Sequence, residues 1–407
     1  MSRLALLSLH TCPVARPGER DTGGMNVYVR NVAAELGRLG NQVDVYTRAH
    51  GDGHPAVMDI GENARLVHLR SGPHDAVKDE LPEYVPAFRD SLLSFQESDG
   101  AEYDMLHSHY WLSAQAGVDL SEGWGVPHST TFHTLAKKKL RARVGEYAPK
   151  ARIEAESRAM NRADAILTST EEEKGDVTRL YGVSDEKVTV IPGGVNLDLF
   201  SPGDKETSRR ALGIEEPKVI LSVGRMELLK GIDILVGALP LMFDLANTRL
   251  VVVGGVLGND REVKRLKAIA QAFGVLDRVT FAGSVDHEDL PLYYNAADVF
   301  AMPSYHESFG LAALEAMACG VPVVASRVGG LRTFVTNGVT GYLIPWHCPE
   351  PFAQRLEVIL NNPALRASMG QVARETAESL GWRRVAASLA DVYGGLTGTT
   401  WERAAGE

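Results

Sequence analysis

The strongest constraint on this chain is a pattern that runs through it twice. Short apolar runs, "ALLSLH", "VDVYTRA", "ARLVHL", "DMLHSH", "HSTTFHT", "AILTST" and "VTVIPGG", fill the first half, separated mostly by helix-length segments such as 26–39, 84–98 and 150–162. Continuous apolar runs between helices suit the strands of a parallel sheet, because helices cover both of its faces. After the polar stretch "DLFSPGDKETSRRALGIEEP", which has the proline, glycine and charge of a linker, the pattern restarts with "KVILSVG", "RLVVVGG", "RVTFAG", "DVFAMPS", "PVVAS" and "TGYLI". The fold class is therefore predicted to be α/β, with two Rossmann-like, doubly wound domains facing each other across a cleft. The first is expected over 1–200 and the second over 217–380. In such sheets ligands lie beyond the carboxyl ends of the strands, so the shared cleft is the natural place for a site.

Length agrees, since 407 residues are too many for one ordinary core and suit two domains of roughly 200 each. A net charge of -10 argues against nucleic acid or an anionic membrane as the main partner, while leaving room for local basic patches that take a phosphate. Cys12, Cys319 and Cys348 show neither CxxC spacing nor an even count, so neither a disulfide framework nor a zinc site is expected. A reducing, cytoplasmic setting fits best. The N-terminal "LALLSLH" is too short for a signal-peptide core or a membrane span and reads as a buried first strand.

Three motifs fall where strands end. In "RDTGGMNVYV", Gly23 and Gly24 open a helix that begins near Asn26, so a ligand can approach the backbone closely and a phosphate would suit the free amides. A plain βα turn would look the same. In "VGRMELLKG", the strand ends at Gly224 and presents Arg225 and Lys230, two cations able to neutralise a diphosphate, or else helix-start surface charges. In "PSYHESFGLAALEAMACG", a loop carries His306 and Glu307, and a helix follows that stops at Gly320. Ser308, Phe309 and Gly310 sit where that helix offers free amides. Glu315 lies mid-helix among apolar residues, where a carboxylate is costly without a partner. The bland alternative is that Glu307 caps the helix and Glu315 satisfies a core network.

"HESFGLAALE" resembles the E-x7-E motif of retaining glycosyltransferases of the GT-B fold. With "VGRMELLKG", "IPGGVN" and "GGMNVY" the chain resembles glycosyltransferase family 4 over nearly its whole length. Within that family "SLHTCPVARPGERDTGGMNVYV" and "HSHYWLS" are most similar to the members of mycothiol synthesis that act on inositol 3-phosphate. Sucrose-phosphate synthases are the next relatives, and they usually carry Gln-Val where this chain has Met25-Asn26. The resemblance implies transfer, with retention, of a hexose or N-acetylhexosamine from a nucleotide sugar, expected to be UDP-linked, to a phosphorylated polyol or sugar. Fructose 6-phosphate is the alternative acceptor. By the same resemblance Glu315 would bind the ribose. Glu307, with Gly23, Gly24, Ser308, Phe309 and Gly310, would hold the donor, and Arg225 and Lys230 would stabilise the leaving diphosphate. His133 would contact the donor sugar, and the acceptor would meet Asn26, Lys78, Tyr110, Thr134 and Arg152. Taken singly, Lys78 and Arg152 read as surface charges, Tyr110 as a half-buried aromatic, Thr134 as a cap and His133 as a core histidine.

No Asp-x-Asp pair occurs, so no metal and no cofactor beyond the nucleotide-sugar substrate is expected. The last helix, over 382–398, typically crosses back to the first domain in this fold. The basic run "KKKLRAR" at 137–143 reads as a solvated face or a mobile rim that attracts an anionic acceptor, with membrane docking the lesser reading. Two rival classes stay open, a nucleotide-sugar epimerase and a non-catalytic sugar-binding protein on a decayed transferase fold. Decay would be expected to remove some of Arg225, Lys230, Glu307 and Glu315, and all are present. The oligomeric state stays open too, a homodimer included.

Overall fold

The computed structural model describes residues 1–15, 23–50, 54–142, 148–255 and 260–402. They divide into two compact units, one made of residues 1–15, 23–193 and 382–402 and the other of 194–381 where described.

The first unit is built on β1 (Arg3–Ser8), β2 (Gln42–Arg48), β3 (Val57–Gly61), β4 (Ala64–Leu69), β5 (Met105–His109), β6 (His128–Thr131), β7 (Ala165–Thr168) and β8 (Val188–Val190). They form one eight-stranded sheet in the order β3-β4-β2-β1-β5-β6-β7-β8. Every pairing is parallel except that of β3, which runs antiparallel to β4 at the edge. The apolar-run reading passes over β3 because its exposure alternates and no continuous run marks it. Around this sheet lie α1 (Gly24–Arg38), α2 (Val85–Asp99), α3 (Tyr110–Trp124), α4 (Ala136–Ala142), α5 (Lys150–Arg162) and α6 (Glu171–Tyr181).

The second unit opens with α7 (Lys205–Leu212), inside the stretch that the sequence reads as a linker. Its helix has a physical cause. The Asp204 side chain accepts from the Thr207 amide at 2.8 Å and caps it. Arg209 is buried and donates to the Ala296 carbonyl, the Pro217 carbonyl and Asp298, while Lys205 reaches Asp298 at 2.8 Å. Because the helix is anchored by ions rather than by an apolar stripe, its composition looks like a linker's.

The six-stranded parallel sheet of this unit holds β9 (Lys218–Val223), β10 (Thr248–Val253), β11 (Val279–Gly283), β12 (Val299–Met302), β13 (Val323–Ser326) and β14 (Gly341–Ile344), in the order β11-β10-β9-β12-β13-β14. The remaining helices are α8 (Ile232–Ala238), α9 (Arg261–Ala272), α10 (Leu290–Ala296), α11 (Leu311–Ala318), α12 (Leu331–Phe334), α13 (Pro349–Leu360) and α14 (Pro363–Glu378). Successive strand residues feed opposite cores, as the two-residue strand period requires. Val219, Leu221, Val251, Val253, Phe300 and Met302 pack with α10, α11 and α12, whereas Ile220, Leu250, Val252, Val299 and Ala301 pack with α8, α9 and α13. After residue 381 the chain returns to the first unit as α15 (Trp382–Thr397), which packs on α1 and buries Trp382 and Tyr393.

Among the parallel strands, the order reverses once in each sheet. The chain builds outward from β1 through β2 to β4 and then starts β5 on the other side of β1; likewise it builds from β9 through β10 to β11 and starts β12 on the other side of β9. The loops that leave β1 and β5, and those that leave β9 and β12, therefore diverge and open a crevice at each carboxyl edge.

Candidate active site

At the β1/β5 reversal the central residue is Tyr110, the first residue of α3. Tyr110 and His133 have φ of 72° and 58°, and among the described residues only Asn63 joins them as a non-glycine with positive φ. A bulky residue in left-handed backbone is strained, and surrounding structure must hold it there. His10 stacks on the Tyr110 ring at 4.7 Å between centroids and 26°. The Arg152 guanidinium lies 5.1 Å and the Lys78 ammonium 5.7 Å from the ring centre. Arg152 also donates from Nη2 to the Thr134 carbonyl and Oγ1, at 2.9 and 3.1 Å, and from Nε to Glu156 at 2.8 Å. Among the described residues neither Arg152 Nη1 nor the Tyr110 hydroxyl has a hydrogen-bond partner. The fold thus brings Lys78, Tyr110, Thr134 and Arg152 together, with donors left over.

Asn26 is placed differently. It is 3% exposed, and its side chain is committed to the β1–α1 connection, accepting from Thr11 Oγ1 at 2.9 Å and donating to the Cys12 carbonyl at 2.5 Å. Its Oδ1 also accepts from the Gly23 amide at 3.3 Å. Gly23 is extended, no side chain caps α1, and Gly24 begins the helix.

His133 follows β6 and pairs through Nε2 with His109 Nδ1 at 3.1 Å, with Tyr28 edge-on at 5.2 Å. Burial pushes its pKa down to about 3. Burial, then the neighbouring histidines, likewise hold His107 and His109 far below the usual range. His133 is therefore a neutral hydrogen-bonding group at pH 7, not a proton carrier. His107 links this cluster to Tyr393 at 2.7 Å and Thr131 at 2.9 Å.

The basic run on α4 is not simply a solvated rim. Lys137 donates to the Leu180 carbonyl at 2.6 Å and covers the Tyr181 ring, and Lys138 pairs with Glu172 and Asp176 at 3.0 and 2.9 Å. Arg143 lies outside the described residues.

At the β9/β12 reversal, Lys230 donates to Glu307 at 2.7 Å. Their loops leave adjacent strands, which is how a contact 77 residues apart in sequence forms. Burial works to raise the Glu307 carboxyl, but Lys230 first, then His306 and Arg225, outweigh it and hold it below the usual carboxylate range. Arg225 pairs with Glu227 at 2.8 Å, both half-exposed. The loop is pressed in place from behind: a Cβ on Gly329 would stand 1.6 Å from the Glu307 carbonyl oxygen. Phe309 and Gly310 precede α11, Gly310 has φ 101°, and neither amide finds an acceptor among the described residues. Ser308 accepts the Gly330 amide through its carbonyl at 3.1 Å. Glu315 is 6% exposed, and both of its oxygens are engaged, by His287 at 2.9 Å and the Tyr294 hydroxyl at 2.8 Å. A carboxylate has about four acceptor positions, so further donors can still reach it.

Sequence reasoning missed His10, Glu156, His109, His287 and Gly329. Only Glu156 left a signal, its four-residue spacing from Arg152 on one helix.

Among the described residues no group of three or more His, Cys, Asp or Glu side chains is placed to hold a metal ion, and no helix is long and apolar enough to cross a membrane. The arrangement offers two crevices, one with cations around an aromatic ring, the other with an ion pair beside free helix amides.

Two family models match the chain, one described as glycosyltransferase family 4 over residues 22–199 and one described as glycosyl transferases group 1 over 204–376. A D-inositol 3-phosphate glycosyltransferase of Xylanimonas cellulosilytica is 41% identical, over 97% of this chain and 97% of its own. One from Kribbella flavida is 40% identical, over 98% of this chain and 97% of its own. Among solved structures, a sucrose-phosphate synthase from Thermosynechococcus elongatus superposes with a TM-score of 0.90 and 32% identity, over 98% of this chain and 100% of that one.

Proposed function

This chain belongs to glycosyltransferase family 4, and from that premise we propose that it transfers a hexose or N-acetylhexosamine, with retention, from a UDP-linked sugar to a phosphorylated polyol such as inositol 3-phosphate. The observation that carries the acceptor half is the convergence of Lys78, Thr134 and Arg152 around Tyr110, with Arg152 Nη1 and the Tyr110 hydroxyl uncommitted among the described residues. Cationic and hydroxyl donors around one point suit a dianion, since charge-assisted hydrogen bonds are the strong ones.

In the second unit the donor would lie at the carboxyl edge of β9 and β12. Glu315, held by His287 and Tyr294, would accept from the ribose hydroxyls, and the Phe309 and Gly310 amides would meet donor oxygens. Lys230 has three donors and spends one on Glu307, so it and Arg225 can oppose the charge that grows on the departing diphosphate. Neutral His133 would orient the sugar. No side chain is assigned as nucleophile; the acceptor hydroxyl attacks from the leaving-group face and its proton goes to the departing phosphate. The reaction would take place in the cytoplasm, where Cys12, Cys319 and Cys348 stay free thiols.

The test is a matrix of UDP- and GDP-sugars against inositol 3-phosphate, fructose 6-phosphate and their dephosphorylated forms, read as nucleotide release and product anomer. Turnover with inositol 3-phosphate and little with free inositol is expected. Equal use of the free polyol would sink the acceptor reading. Preference for fructose 6-phosphate would move the chain toward the synthase branch.

A further inference from the structure

Glu156 lies one helical turn beyond Arg152 on α5 and is fully buried. Its carboxylate is shared by three elements. Oε1 accepts from Arg152 Nε at 2.8 Å, both oxygens accept from the Ala136 amide at 3.2 and 3.0 Å, and Oε2 accepts from the Tyr181 hydroxyl. Ala136 begins α4 and Tyr181 ends α6. Attraction cannot be its purpose, because a carboxylate behind the arginine cancels part of the charge offered to a dianion. What it supplies is direction. The guanidinium is planar, so fixing Nε on Glu156 and Nη2 on Thr134 fixes the line along which Nη1 points.

We propose that Glu156 is a positioning residue for acceptor recognition: it sets the plane of Arg152 so that Nη1 meets the acceptor phosphate, and it ties that arginine to the first turn of α4 and the end of α6. The inference rests on the acceptor reading given above. Part of the preference for a phosphorylated acceptor then resides in a side chain that the acceptor does not touch.

Glu156→Gln and Glu156→Met test it, because they remove the same charge with side chains of equal length and similar helix propensity. Only Gln keeps an oxygen for Arg152 Nε and the Ala136 amide. The readouts, on the whole chain, are acceptor KM, kcat, donor KM and the inhibition constant of inorganic phosphate. For the Met variant, acceptor KM and the phosphate constant should be about tenfold or more above those of the Gln variant, with kcat and donor KM within about twofold. Equal constants in the two variants, or a loss shared alike by donor and acceptor, overturn the proposal. If the Met variant does not fold, Tyr181→Phe takes its place, expected to raise acceptor KM about threefold with donor KM unchanged; no rise overturns the proposal. A native protein indifferent to the acceptor phosphate and to inorganic phosphate overturns the acceptor reading and this role with it. A native protein that needs the phosphate, with Gln and Met variants alike, overturns the role of Glu156 alone.

Discussion

Lys230 and Glu307 are 2.7 Å apart, so a substitution at Lys230 removes a cation and also strands a carboxylate. If its role is to oppose leaving-group charge, Lys230→Ala should lower kcat by about 100-fold or more, the scale of removing one preorganised donor. Lys230→Ala combined with Glu307→Gln separates the stranded carboxylate from the lost cation. Unchanged kcat with only a weaker donor KM would count against the assignment. The buried histidines of the first unit make its stability depend on pH. Burial holds His128 and His133 near a pKa of about 3 and His107 and His109 well below 6.5. A depressed histidine stabilises the fold fully above its unfolded pKa. Below 6.5 the unfolded chain takes up protons that the folded chain refuses. Stability should therefore fall on acidification from that point down toward pH 3, by up to about 1.4 kcal/mol per pH unit for each histidine. Thermal unfolding at pH 7.5 and 5.5 measures the slope, and His128→Gln should flatten it; an unaltered slope would show that these groups are not its source.

The Glu307 loop is held by Gly329, whose φ of +48° and lack of a side chain let its backbone meet the Glu307 carbonyl. Gly329→Ala would place a methyl 1.6 Å from that oxygen, so the loop must move. Transfer activity should drop at least tenfold through kcat and donor KM together while the far-ultraviolet circular dichroism stays native. Retained activity would mean that the loop position does not matter. At α7, Asp298 is 2% exposed and answers Lys205, Arg209 and the Val219 amide. Asp298→Ala leaves these cations unpaired and should cost about 3–5 kcal/mol in denaturant unfolding. A loss below about 1 kcal/mol would show the helix to be a dispensable surface segment.

For the whole molecule, the chain leaves the first unit, builds the second and comes back. Trp382, Tyr393 and Trp401 are at most 4% exposed on that return, and Tyr393 bonds to His107. Truncation after Gly381 should therefore unfold the first unit and leave the second, seen as loss of one of two calorimetric transitions. Two undisturbed transitions would show that the return segment is not part of the first core. Because the chain has no Asp-x-Asp pair and offers Arg225 and Lys230 instead, transfer is expected to survive EDTA. Abolition by EDTA with recovery on adding magnesium would reveal a metal-assisted reaction.

The amino-acid sequence alone specifies the parallel strands of both sheets, because a strand buried on both faces must be apolar throughout and that property is local. It also placed the loop of Glu307 ahead of the helix of Glu315, since a helix start and an apolar stripe are local signals as well. Tertiary structure decided the partners. Lys230 meets Glu307, and His10 meets Tyr110, only because β12 lies beside β9 and β5 beside β1, an order that no run of residues encodes. The left-handed backbone of Tyr110 and His133 was equally illegible, since such residues adopt it only when their surroundings impose it. Edge strand β3 and helix α7 are illegible for the converse reason: β3 alternates at an edge, and α7 is held by a buried ion cluster, so neither displays the continuous apolar signal that marks the rest.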